Sequence, residues 1–197
     1  MKYKTPMQTF CAVSLFFLAA STCALAQEHR QAHLTGLIND YTPSDVKGGP
    51  YEMHGQWVLE IHEDGNTADF TVDMTMSDYG MTSTGAPDAT QGGQGAHTHH
   101  IVLNDRPITW NMAGCPAYSP ATTHGFQIGG TVNLLSGNGS KAPFEPAPPE
   151  STLQVCVTGG TEVDYSNLSL VLAGPATAHF GPQAIHGVVR KGVERDR

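Results

Sequence analysis

Ten histidines are spread along this chain of 197 residues, and three of them stand together in His97-Thr98-His99-His100. Imidazole has an unperturbed pKa of about 6.5, and when neutral it offers a lone pair to a transition-metal ion. Two imidazoles one residue apart can converge on an ion if the segment is extended, because alternate side chains of a strand share a face and sit about 7 Å apart at the backbone. His97 and His99 are therefore predicted to face one way with Ile101 and Leu103, and His100 the other. Such a pair opens a zinc or copper site but needs a third ligand from elsewhere in the fold. His124, His179 and His186 are the candidates, since each lies in a segment that also carries Gly or Pro and so suits a strand end. The expected metal ligands are His97, His99, His124 and His179, and the expected ion is divalent copper or zinc. Proton competition then predicts that affinity falls as pH drops through about 6.5. The opposing expectation is that the imidazoles only hold loops in place, through hydrogen bonds to backbone and carboxylate groups.

Two smaller metal readings accompany this one. Cleavage after Ala26 would leave Gln27-Glu28-His29 at an amino terminus. A free amine followed by histidine in third position presents four nitrogens in a plane, the geometry that copper(II) and nickel(II) favour. Met74, Met76 and Met81 offer thioethers, soft ligands that suit copper(I), but Met74 and Met76 share parity with Phe70 and Val72 and read first as core. Other chemistries find less support. There is no G-x-S-x-G in the chain, and an all-β pattern lacks the strand-turn-helix that presents such a serine. Glu60, Asp69 and Asp73 alternate with apolar residues and read as the wet face of a hairpin rather than as a glycosidase pair. The Gly-Gly pairs at 92–93, 129–130 and 159–160 have neither a lysine nor a following helix, so they are not phosphate loops. None of these residues names a reaction.

The stretch from His97-x-His99 through Gly114-Cys115 to His124-Gly125 resembles the copper-zinc superoxide dismutases, secreted β-sandwiches whose metal histidines flank a disulfide loop. The likeness covers residues 97 to 125 only, and Cys156 stands 41 residues before the end where that family places its second cysteine close to it. Nor can the family's bridging histidine before an aspartate ligand be placed. The resemblance implies an analogy of fold and carries over no site residue.

Strands are the elements that could bring such histidines together, and the recurring period along the chain is two. Trp57, Leu59 and Ile61 alternate with polar neighbours, Asp64-Gly65-Asn66 supplies a turn, and Phe70, Val72, Met74 and Met76 alternate again. That is a β-hairpin with one wet face. Leu34 to Tyr41, His97 to Asn104, Phe126 to Leu134, Leu153 to Thr158, Val163 to Leu172 and Ala184 to Arg190 also read as strands. About eight strands with no convincing amphipathic helix predict an all-β fold, an antiparallel β-sandwich or barrel. Phe126, Ile128, Val132 and Leu134 share one parity and are predicted to point inward, as are Leu168, Leu170 and Leu172. Two long loops, Asp78 to Ala96 and Gly137 to Ser151, break the rhythm; the second holds Pro143, Pro146, Pro148 and Pro149. Loops of that length are either binding loops or tolerated insertions.

Composition bounds the compartment and the partners. The 22 Gly and 13 Pro make 35 of 197 residues, below the roughly 25–30% that marks low-complexity disorder. A charged fraction of 14%, against a usual value of about 25%, excludes a charged coil or a long coiled coil. Residues 1–26 read as a cleaved secretion signal: Lys2 and Lys4 lead an apolar run from Phe10 to Ala20, and Ala24-Leu25-Ala26 ends it. That run of 11 residues falls short of the roughly 20 needed to cross a bilayer. Residues 27–197 are expected to form a single domain, with 8 basic against 18 acidic residues and a formal charge of −10. Such a balance repels nucleic acid and anionic membranes and suits cations. Export leaves Cys115 and Cys156, which are expected to be bonded in a secreted or periplasmic setting; the other reading has one buried and one free. The alternative to a metal protein is a noncatalytic module that binds carbohydrate or protein through the long loops and aromatics such as Tyr79, Trp110 or Tyr118.

Overall fold

The computed structural model describes residues 31–46, 50–78, 97–116, 124–138, 150–159 and 165–195. The leader 1–26, Gln27 to His29, Tyr79, Met81 and Tyr118 lie outside them, as do 79–96 and 139–149 of the two long loops. The chain is nearly all β: β1 (Gln31–Tyr41), β2 (Tyr51–Ile61), β3 (Thr67–Asp78), β4 (His97–Pro107), β5 (His124–Thr131), β6 (Leu134–Asn138), β7 (Thr152–Gly159), β8 (Tyr165–Ala173) and β9 (Ile185–Arg195). Among the described residues there is one short helix, α1 (Thr177–Phe180), which follows a 3₁₀ turn at Gly174–Ala176.

The nine strands among the described residues belong to one antiparallel sheet in the order β5-β7-β8-β9-β1-β2-β3-β4-β6, curled into a half-barrel. The period-two residues account for the curl. Trp57, Leu59 and Ile61 of β2 stand opposite Val72, Phe70 and Ala68 of β3, and all six are buried on the inner face. Closing the sheet around these side chains removes them from water, and each fully buried large apolar side chain contributes about 1.5–3 kcal/mol. The turn between β2 and β3 is the expected one: the Asp64 carboxylate accepts the amide of Asn66 at 2.9 Å, and Gly65 takes φ 66°. Near the sheet's middle, Gly36 leaves room that any larger residue would lack, since a Cβ there would meet the Val188 carbonyl and the Trp57 ring.

The stretch predicted as one strand, Phe126 to Leu134, is two. β5 pairs with β7 at one end of the sheet and β6 pairs with β4 at the other. Between them the Val132 amide donates to the Ser151 carbonyl at 3.0 Å and the Asn133 amide to the Val102 carbonyl at 2.8 Å. Two residues thus carry the chain from one edge of the sheet to the opposite edge. Arg106 staples this corner, its Nη2 donating to the Thr131 carbonyl and to Asn133 Oδ1. The corner shifts parity by one residue, so Leu135 is buried and Leu134, predicted inward, is 40% exposed. Phe126, Ile128, Val132, Leu168, Leu170 and Leu172 do point inward.

Cys115 and Cys156 form a disulfide, tying the segment after β4 to β7 across 41 residues of sequence. Disulfides of this kind persist in oxidising compartments. The Cys115→Ser/Cys156→Ser double variant is expected to lose about 2–4 kcal/mol of stability, read as a lowered urea midpoint. An unchanged midpoint would show that the bond constrains nothing.

Candidate metal centre

On β4 the burial alternates as the sequence predicts: His97 and His99 face inward with Ile101 and Leu103, while His100 faces outward and bonds Asp73 at 2.6 Å. The third imidazole comes from outside the sheet. His179 lies in α1, which crosses between β8 and β9 and ends at Gly181, whose φ of 86° turns the chain sharply while its amide donates to the Thr177 carbonyl. His97, His99 and His179 are 2%, 1% and 4% exposed, so nearly all of each ring has left water.

The three rings converge through one kind of atom. His179 Nε2 is 3.0 Å from His97 Nε2 and 3.0 Å from His99 Nε2. A neutral imidazole nitrogen has one in-plane position, held by a proton or by a lone pair. His179 Nε2 can therefore complete a well-aligned hydrogen bond with only one of these two neighbours. The tautomer of His99 is fixed by the edge strand. The Ser136 carbonyl of β6 can only accept, so His99 Nδ1, 3.1 Å away, carries the proton and Nε2 carries the lone pair. This is the outer-shell arrangement that orients metal-binding histidines. Ligand nitrogens about 2.0–2.1 Å from a tetrahedral zinc lie about 3.3 Å from one another, close to the 3.0 Å seen here.

The surroundings keep these rings neutral. Burial pushes His99 down to about 4, against the raising effect of its bond to Ser136, with the nearby His97 lowering it further. Burial likewise pushes His179 down to about 3, helped by His99 and His97. Protonation of these two rings therefore sets in near pH 4 and below, lower than the pH of about 6.5 expected for an exposed histidine. Tyr51 of β2 packs against His97 and His179 at 5.1 and 5.2 Å between ring centroids. Phe180 packs against His99 and His179 at 4.9 and 5.0 Å. None of the Asp and Glu residues from 40 to 73, nor Asp105 or Glu150, is buried, and the three imidazoles lie in an aromatic pocket that could hold a metal ion.

The remaining expectations fall elsewhere. His124 is exposed at the start of β5 and is not in this group. His186 is held outside the cluster by Asp40 at 2.8 Å. His33, His54 and His62 likewise pair with Glu60, Glu52 and Asp69 at 3.0, 3.1 and 3.1 Å. These outward histidines thus pair with carboxylates, whereas His99 on the inner face bonds the Ser136 carbonyl. Trp110 is half-buried against the core, 5.2 Å from the Phe126 ring. The residue that sequence reasoning missed is Ser136, which acts through its carbonyl and so leaves no side-chain signature.

Fold and site together define an all-β half-barrel with a buried three-histidine cluster able to hold a metal ion. Comparison with protein families, with curated proteins and with solved structures finds nothing that matches this chain. No helix among the described residues is long and apolar enough to cross a membrane.

Proposed function

We propose that this protein is an exported metal-binding protein that takes up one transition-metal ion, copper or zinc, through Nε2 of His97, His99 and His179. The carrying observation is the meeting of His179 Nε2 with both other Nε2 atoms at 3.0 Å, with His99 fixed in the ligand tautomer by the Ser136 carbonyl. A cation between the three nitrogens removes the conflict that a shared hydrogen bond leaves. Three neutral ligands leave a further coordination position, where a bound water would be activated or a fourth donor would close the site. Export rests on the apolar leader and on the disulfide. The test is elemental analysis of the protein purified without a histidine tag or chelator. About one equivalent of copper or zinc is expected, absent from the His97→Ala/His99→Ala variant while its far-ultraviolet β spectrum is kept. A protein that stays metal-free after incubation with both ions would defeat the proposal.

A further inference from the structure

Three buried methionines stand beside the histidine cluster, and their register says which of the two metals they suit. Met76 of β3 is directly opposite His97 of β4, and Met74 is directly opposite His99. On the other side of β3, Met53 of β2 is opposite Met76. Met53, Met74 and Met76 are all buried. Directly opposed residues on one face of an antiparallel pair have Cβ atoms about 4.5–5.5 Å apart, and diagonal neighbours remain within reach of a long side chain. A methionine at either position, with three rotatable bonds, is therefore long enough to reach the space where the imidazoles meet.

The two positions differ. Met76 is backed on β2 by the buried Met53, whereas Met74 is backed by Gly55, which has no side chain. The Met53 side chain thus limits how far Met76 can lean away from His97, whereas Gly55 sets no such limit on Met74. Tyr51, two residues before Met53, packs on His97 and His179 and so closes the Met76 end of the pocket.

We infer that the ion is copper(I), bound by His97, His99 and His179 with the Met76 thioether as a fourth, soft ligand. This rests on the metal-binding reading above and corrects its charge, since the sequence alone favours a divalent ion. Thioether ligands select copper(I) and are poor partners for zinc among mixed donors. Charge argues the same way. None of the Asp and Glu residues from 40 to 73, nor Asp105 or Glu150, is buried beside the site, and the Born cost of moving an ion into an apolar interior rises with the square of its charge. A monovalent ion therefore pays about a quarter of the divalent penalty.

The experiment titrates the purified protein with copper(I), kept reduced by ascorbate, against a chromogenic copper(I) chelator, and separately with zinc(II). Wild type, Met76→Leu and Met74→Leu are compared, leucine being close enough in volume to preserve the core. Copper(I) affinity is expected to fall about 10- to 100-fold in Met76→Leu, with zinc affinity unmoved and Met74→Leu like wild type. X-ray absorption of the copper(I) form should show a sulfur neighbour in wild type that vanishes in Met76→Leu. Undiminished copper(I) affinity in Met76→Leu, a loss confined to Met74→Leu, or zinc outcompeting copper(I) at equal concentration each overturns this assignment and leaves the three-histidine site standing. Failure of wild type to take up either metal overturns instead the reading on which it rests.

Discussion

Replacing His179 with alanine should abolish metal uptake and leave the sheet intact. His179 is the cluster's contribution from α1, a four-residue helix outside the strand ladders, so its removal breaks no inter-strand hydrogen bond. What it removes is the nitrogen common to both 3.0 Å contacts. Loss of outer-shell groups already costs about 10- to 100-fold in metal affinity, and loss of a direct ligand should exceed that range. Isothermal titration with copper and with zinc checks the loss. The matching control is His100→Ala, one residue from His99 yet on the outer face with Asp73. It should bind metal as wild type does. If both variants lost metal alike, the inner three histidines would not be the ligands.

The second large effect is acid sensitivity of the metal-free protein. In the folded state burial holds His99 at about 4 and His179 at about 3, whereas the unfolded chain protonates its histidines near 6.5. Above that pH both states hold these rings neutral and the stability is fully present. As pH falls below it, the unfolded chain gains protons that the folded chain refuses, so stability drops until the folded values are reached. Each ring contributes a slope of up to about 1.4 kcal/mol per pH unit, and the pair together roughly 4 kcal/mol between pH 7 and pH 5. Urea unfolding of chelated protein at pH 7, 6 and 5 measures this. His179→Ala should shed about half of the slope. A midpoint that stayed flat across that interval would mean that the rings are not buried as described.

Much of the architecture could be read from alternation. Trp57, Leu59 and Ile61 against Phe70, Val72 and Met74 announced their hairpin, and the parity of His97 and His99 with Ile101 announced their inward face, because burial on a strand follows a period of two. The β5 to β6 corner was not legible. Val132 and Leu134 keep the same apolar alternation across it, and the change of partner strand is made by backbone hydrogen bonds that any residue could supply. The site divides in the same way. His97 and His99 declared themselves by spacing, but choosing His179 over His124 and His186 needed the path of the chain between β8 and β9. Nothing in the side chains marks the Ser136 carbonyl, and the claim of Met76 on the site depends on a register between β3 and β4 that period alone does not set.

The pairing of β1 with β9 bears on the order of folding. Gln31 is opposite Arg195, one of the longest sequence separations the described chain allows, and this seam joins the β2, β3 and β4 meander to the β7 and β8 hairpin. Contacts of such range form slowly, because a long loop must be closed before they repay it. His97 and His99 belong to the first block, while His179 sits in the link that leads into β9. The imidazoles meet only once the sheet has brought the link between β8 and β9 beside β4. On the proposed reading, an ion that needs all three therefore has little to hold on a nascent or partly folded chain, and metal capture follows assembly of the sheet.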